Sequence, residues 1–325
     1  SGADVDIVEI VKSVTKFAEE IYDPELVIET VIRAVLTSIS GRPGPVWISV
    51  PLDIQGMNIE FNDEIYQREY TRIFNEINSF AEPQLDILDL SKFKRPLVLA
   101  GNGIKLSQTQ NNFKEFIEKW NLPFATTFLS VDVISDEHPL YQGRIGVVGE
   151  RCGNFSVSNC DCLIVLGCRL AAAVVGYNPQ WFAREAYKVV VDIDANEHKK
   201  ESVKIDNFIN SSLQNFFRED RFTFSANSER QNWNDKCLSW KIKWLFDEPS
   251  LIEDDSKGIN PYYVMRQLSQ YTPLNTVFTH TAGSTVTSTW HRLEMRGTRR
   301  FLNAASAGDM GQELPGSIGA YFASK

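Results

Sequence analysis

A helix that stops at a glycine, a turn stiffened by two prolines, a short apolar strand and a proline that ends it: Gly41-Arg-Pro-Gly-Pro-Val-Trp-Ile-Ser-Val-Pro-Leu-Asp-Ile-Gln55 constrains this chain more than any other stretch. Proline fixes φ and removes a ladder donor, so Pro51 closes the strand that Val46 opens. Such a strand is normally the last of an α/β domain. Here it comes only about fifty residues from Ser1, too early to close a domain of usual size. The expectation is an internal piece of a longer protein, with its first domain cut.

Asp23-Pro24 opens the preceding helix, with aspartate as cap and proline in the first turn. Ile28, Val31, Ile32, Val35, Leu36 and Ile39 follow at spacings of three and four, which predicts one apolar face. From about Asn58 to Pro83 the periodicity is lost and charges accumulate. That segment reads as a surface linker, longer than most connections inside a domain.

From Arg95 a second pattern begins. Strands are predicted over 96–100, 123–127, 162–166 and 187–193, with helical segments between them and a turn at Gly101-Asn102-Gly103. Short apolar strands alternating with helices predict a mainly parallel sheet covered on both faces, a three-layer αβα unit. Ligands in such sheets lie beyond the carboxyl ends of the strands. Residues 226–255 read as a second linker containing a helix. Asn260-Pro261 starts another helix, and strands over 276–279 and 300–303 run into Ala282-Gly283-Ser284-Thr285 and the segment Ala307 to Ala320.

Hydrophobic residues make up 43% of the 325 and charged residues 23%, the profile of a globular chain. A net charge of -9 without a basic stripe argues against a nucleic-acid surface. No apolar run approaches the roughly 18 residues of a membrane span, and no leader pattern is visible. The five cysteines lack C-x-x-C spacing, which predicts buried thiols in a reducing compartment, no metal site, and a cytoplasmic location.

With these residues in place, the order of parts resembles the thiamine-diphosphate-dependent enzymes of the acetolactate synthase type. Gly41-Arg-Pro-Gly-Pro-Val46 and Gly308 to Gly319 are the most specific matches. The resemblance implies an α/β fold in which a complete Rossmann-like central domain is flanked by partial thiamine-diphosphate-binding domains. Residues 1–64 would be the end of the pyrimidine-binding domain, 65–88 a linker, 89–225 the central nucleotide-binding-like domain, 226–255 a linker, and 256–325 the start of the diphosphate-binding domain. It implies a decarboxylase/carboligase, a lyase or transferase acting on pyruvate or a related 2-keto acid, as a homodimer or tetramer. Thiamine diphosphate would serve as the electron sink, with Mg²⁺ held by ligands outside this chain. The glutamate that meets the pyrimidine ring also lies outside it, so the 325-residue piece alone is expected to be inactive.

By the same resemblance Met310 is the apolar wedge under the bent cofactor, Gly308 supplies a carbonyl acceptor, and Asp309 stands between them. Gly283, Ser284 and Thr285 would take the diphosphate at a helix start, and FAD, with no redox part, would touch Gly101, Asn102, Gly103, Gly146, Gly167, Arg169, Asp192 and Asp194. Each residue also has a plainer reading: Met310 as core packing, Ser284 and Thr285 as helix caps, the others as turn residues at strand ends.

One stretch departs from the family. Where acetolactate synthases carry Phe-Asp-Asp-Arg, this chain has Leu170-Ala171-Ala172-Ala173. The missing guanidinium would hold the acceptor's carboxylate, and its loss costs about 2–5 kcal/mol. Gly176 to Pro179 and Val191 to Asp194 look more like synthase-like proteins encoded with surface-polysaccharide genes, which implies a sugar-linked or other aldehyde or ketone acceptor. A reading of a different class is a non-catalytic FAD- or ADP-binding module, or an assembly module.

Overall fold

The computed structural model describes residues 5–77, 88–199, 201–218, 222–224, 228–245, 258–280, 282–283, 285–303, 308 and 310–324. The chain forms two compact units, residues 1–83 and 84–325.

In the first unit the elements are α1 (Ile7–Val11), β1 (Phe17–Glu20), α2 (Val27–Ile39), β2 (Val46–Ser49), α3 (Leu52–Gln55) and α4 (Asp63–Ile77). β1 and β2 pair in parallel, joined through α2. Asp23 caps as expected, accepting from Glu25 N at 2.9 Å, though the first turn over Pro24–Leu26 is a 3-10 turn. Lys16 Nζ donates to Ser40 O at 2.6 Å and to Thr37 O, a cation on the helix's last carbonyls.

Two sequence expectations fail here. Residues 63–77 form α4 rather than a linker, because Tyr70, Ile73 and Ile77 recur at helical spacing and pack on Ile28, Ile32 and Leu36. Dense charge hid this pattern: Arg33 and Arg72 are bridged to Glu29, Glu69 and Glu76 across the two helices. The single apolar face expected of α2 is also split, since Val31, Val35 and Ile39 are exposed while Ile32 and Leu36 are buried against α4.

The second unit is built on β4 (Pro96–Ala100), β5 (Phe124–Thr126), β6 (Tyr141–Arg144), β7 (Cys162–Leu166), β8 (Tyr187–Asp192) and β9 (Asn207–Asn210). They form a parallel sheet in the order β6-β5-β4-β7-β8-β9. A short parallel pair, β3 (Leu88–Asp89) with β10 (Phe222–Thr223), stands apart from it. The helices are α5 (Gly103–Leu106), α6 (Gln110–Trp120), α7 (Arg151–Asn159), α8 (Ala172–Val175), α9 (Leu213–Arg218) and α10 (Ser228–Leu245). The helical stretch after Gly103 is broken between α5 and α6, where Gln108 takes φ +56.

Strand alternation divides the core between the two faces. Val98, Ala100, Ile164, Leu166, Val189 and Val191 face α6 and α9 through Phe113, Ile117, Leu213 and Phe216. Leu97, Leu99, Leu163, Val165 and Val190 face α7 and α10 through Val157, Trp233 and Cys237. The segment read as a second linker therefore carries a core helix, anchored by Trp233 Nε1 to Pro96 O at 2.9 Å. The strand order reverses between β4 and β7, the position at which doubly wound sheets open a ligand crevice.

At that reversal two loops interlock. Gly101 N donates to Leu166 O, and Gly103 N to Gly167 O, both at 2.9 Å. A Cβ on Gly101 would lie 2.2 Å from Gly167 O, and one on Gly167, at φ +57, 2.7 Å from Gly103 Cα. Both contacts are backbone on backbone, so neither can yield without moving a strand end. Gly101→Ala is expected to cost about 2–4 kcal/mol, read as a lowered urea midpoint with an unchanged m-value.

Candidate functional site

Five further elements complete the second unit: α11 (Pro261–Tyr271), β11 (Val277–His280), α12 (Thr285–Arg292), β12 (Arg300–Asn303) and α13 (Glu313–Ala323). Asn260 caps α11 by accepting from Tyr262 N at 2.9 Å. β11 and β12 run parallel in register, so His280 and Asn303 stand side by side at their carboxyl ends.

The turns that leave these ends hold the predicted thiamine-diphosphate residues. Gly283 (φ +98), Gly308 (φ +66) and Gly311 (φ +91) all use left-handed backbone, and among the described residues no atom lies within 4 Å of where a Cβ would stand on any of them. Thr285 opens α12, with its Oγ1 at 3.3 Å from His280 Nε2. His280 Nδ1 is buried without a partner among the described residues, and burial lowers the ring's pKa, which favours the neutral form. Thr279 Oγ1 meets Glu313 O at 3.0 Å and Ser317 Oγ at 2.5 Å, tying α13 to β11. Met310, just ahead of α13, is 90% exposed and so takes no part in core packing. An orphaned ring nitrogen beside open glycine turns and a helix start fits an anionic, ring-bearing ligand. Ser284 and Asp309 lie outside the described residues.

The residues expected to touch FAD stand at the carboxyl edge of the six-stranded sheet. Gly101, Gly103 and Gly167 are in direct contact there, with Asn102 between the first two. Asp192 Oδ1 accepts from Asp194 N at 3.0 Å, and Asp194 caps the 3-10 turn Ala195–His198. Glu197 in that turn lies 3.6 Å from the Arg169 guanidinium. Gly146 (φ +124) is pinned by Asn154, whose side chain donates to its carbonyl at 3.0 Å and accepts from its N–H at 3.1 Å, and a Cβ there would sit 2.5 Å from Ala173 O. The glycines, Asp192 and Asp194 among these positions have turn-making roles at strand ends.

Sequence reasoning missed the polar junction that joins the two sheets. Asp132, whose side chain is fully buried, accepts from Lys105 Nζ at 2.5 Å on one oxygen, and from Arg300 Nε at 3.1 Å and Phe301 N at 3.0 Å on the other. It thus ties α5 to the start of β12. Asp136 Oδ2 accepts from Arg144 Nη2 at 2.6 Å and Met295 N at 2.8 Å. Arg144 continues to Trp290 O at 2.5 Å and Leu293 O at 2.7 Å, capping the far end of α12. Phe128 stacks on Trp290 with centroids 3.6 Å apart, and Val131, Leu293, Met295 and Phe301 close the apolar part. One signal was legible: an arginine inside a short strand otherwise free of charge, Tyr141-Gln-Gly-Arg144.

Glu150 completes this cluster, accepting from Arg144 N at 2.7 Å. Burial pushes its carboxyl up to about 7, against the pull of Arg144. Asp136 is raised by burial as well, again opposed by Arg144. For Arg144, burial works downward, but Asp136, Tyr141 and Glu150 outweigh it and hold the guanidinium charged. All five cysteines are buried, and burial pushes Cys162 and Cys237 up to about 12. Among the described residues no His/Cys/Asp/Glu group could hold a metal, and no helix is long and apolar enough to cross a membrane.

Residues 88–218 match the family model of the thiamine pyrophosphate enzyme central domain, the six-stranded unit described above. More particularly, the chain is 28% identical to an acetolactate synthase large subunit of Lactococcus lactis, over 98% of this chain and 55% of that relative. It is 28% identical to the acetolactate synthase large subunit of Cyanidium caldarium over 98% and 55%, and 25% identical to the isozyme 2 large subunit of Escherichia coli over 98% and 56%. The chain is thus similar to acetolactate synthase large subunits over nearly all of its own length, and it spans about half the length of the curated relatives it matches.

A raised Glu150 sets a pH dependence of stability. An unfolded glutamate releases its proton near the ordinary value of 4.5, while the folded one holds it to about 7. Stability from this group is therefore full below 4.5 and lost as the pH rises through 7, by at most about 3 kcal/mol. Glu150→Gln, which keeps the acceptor, should flatten the fall between pH 5 and pH 7.5 in urea unfolding.

Proposed function

We propose that the protein to which this chain belongs is a thiamine-diphosphate-dependent decarboxylase/carboligase that takes an acyl unit from pyruvate or a related 2-keto acid and passes it to a carbonyl acceptor. The observation that carries this is the placement of Gly308 and Met310, outside any core, after the carboxyl end of β12 in a chain similar to acetolactate synthase large subunits from end to end. The division into residues 1–64, 89–225 and 256–325 belongs to the same reading.

When bound, thiamine diphosphate supplies an electron sink for decarboxylation. The turn at Gly283 and Thr285 offers backbone N–H groups and a hydroxyl to the diphosphate, where the start of α12 favours negative charge. Gly308 would offer its carbonyl as an acceptor to the cofactor's ring amine, and Met310 would give the cofactor apolar support. Neutral His280 orients Thr285 through their contact at 3.3 Å. Mg²⁺ accompanies the diphosphate. FAD would bind beyond the carboxyl ends of β4 and β7, near Gly101, Gly167 and Arg169. The short helix α8, in place of an arginine-bearing run, supports an aldehyde or ketone acceptor. The exposed apolar side chains of α13 support a homo-oligomer, and the buried thiols support a reducing cytoplasmic location.

The full-length protein should bind thiamine diphosphate with Mg²⁺ in calorimetry and release carbon dioxide from pyruvate; absence of binding refutes the proposal. Met310→Ala should lower turnover tenfold or more, while the melting temperature barely moves, because truncating an exposed side chain changes stability by about 0.5 kcal/mol or less. Equal losses of both would return Met310 to a packing role. A flavin absorption band in the purified protein tests the FAD placement.

A further inference from the structure

The two ends of α12 face different tasks. Thr285 opens the turn assigned above to the diphosphate. At the other end Arg144, whose side chain is 3% exposed, grips Trp290 O and Leu293 O from within the central sheet. The helix has 8 residues, so the two ends are about 12 Å apart at 1.5 Å rise per residue. Trp290 is buried and stacked on Phe128, so a rod this short moves as one piece.

We propose that Arg144 is a positioning residue for the cofactor's diphosphate, setting α12 against β6, and that Glu150 modulates its grip. The proposal rests on the reading of Gly283 to Thr285 as the diphosphate turn.

Stability alone does not call for an arginine here. Replacing a buried ionic group by a well-packed apolar one is often neutral or stabilising. Arg144 Nε, Asp136 Oδ1 and Trp290 Nε1 are buried without partners among the described residues, so the cluster is not optimised for hydrogen bonding. What the guanidinium adds is direction: its two nitrogens fix two carbonyls at one helix end, and their placement fixes the register of the whole helix on the sheet.

Glu150 faces Arg144 on β6, Asp136 in the preceding loop, Arg292 on α12, Cys152 on α7, Tyr141 on β6 and Lys241 on α10. Its Oε1 lies 3.9 Å from Arg144 Nη1, the nitrogen that serves Trp290 O. Ionised, Glu150 competes for that nitrogen; protonated, it leaves the guanidinium to the helix. With a carboxyl poised near 7, the grip weakens as the pH rises through neutrality.

The test measures thiamine diphosphate binding with Mg²⁺ by calorimetry at pH 6 and pH 8, on the full-length protein and on Arg144→Met, Arg144→Lys and Glu150→Gln. Arg144→Met should bind about tenfold or more weakly, since small misplacements of binding groups carry large penalties, and Arg144→Lys should recover part of the loss. Glu150→Gln should match the wild type at pH 6 and bind about threefold or more tightly than it at pH 8, a difference that a merely structural role would not produce. Without cofactor, hydrogen exchange over Val286–Arg292 should quicken in Arg144→Met. A wild type that binds no thiamine diphosphate refutes the functional reading, and this inference with it. A wild type that binds, with Arg144→Met binding equally at both pH values, overturns this inference alone. Should Arg144→Met not fold, equal affinities of Glu150→Gln and wild type at pH 8 overturn it.

Discussion

Two buried carboxylates, Asp132 and Asp136, four residues apart in sequence, hold the second unit together. Asp132 fixes the start of β12 and Asp136, through Arg144, the end of α12. Both elements point their other ends at the glycine turns that make up the candidate site. The site's geometry is thus set from behind, by buried polar contacts in which every donor is backbone or cation. Were Asp136 lost, the buried Arg144 would lose its nearest counter-charge, which costs more than the pair gains.

The central sheet supplies the fixed frame for this arrangement. Its middle strands are buried on both faces, and their parallel pairing satisfies the backbone without exposing an edge in the core. Interlocked glycines at Gly101, Gly103 and Gly167 close the sheet's reversal point so tightly that loop and strand end behave as one body. Lys105, two residues after Gly103, then reaches Asp132. A continuous path of contacts therefore runs from the sheet's reversal point to β12.

Much of the fold was legible because unmixed signals carry it. Cys162–Leu166 and Arg300–Asn303 are strands with the limits that the residue pattern gives, and Asn260-Pro261 opens a helix as caps do. The illegible parts had mixed signals. α4 pairs its apolar residues with so many charges that its mean character is that of a surface loop. β6 and β9 are short and polar, and only their neighbours make them strands. Of the site, the glycine turns and Met310 could be singled out by their motif, whereas Asp132, Asp136, Arg144 and Glu150 could not. Their tie to α12 and β12 depends on contacts across about 150 residues of chain, which no local spacing encodes.

The sulfur chemistry has a practical corollary. Every cysteine is enclosed, and Cys162 and Cys237 stay protonated far above neutrality. Thiol reagents act on accessible thiolates, so the native chain should be nearly silent toward maleimides while folded. A single cysteine engineered on the surface, beside Met310 for example, would then accept a fluorophore or spin label selectively, giving a direct optical or magnetic view of the glycine turns.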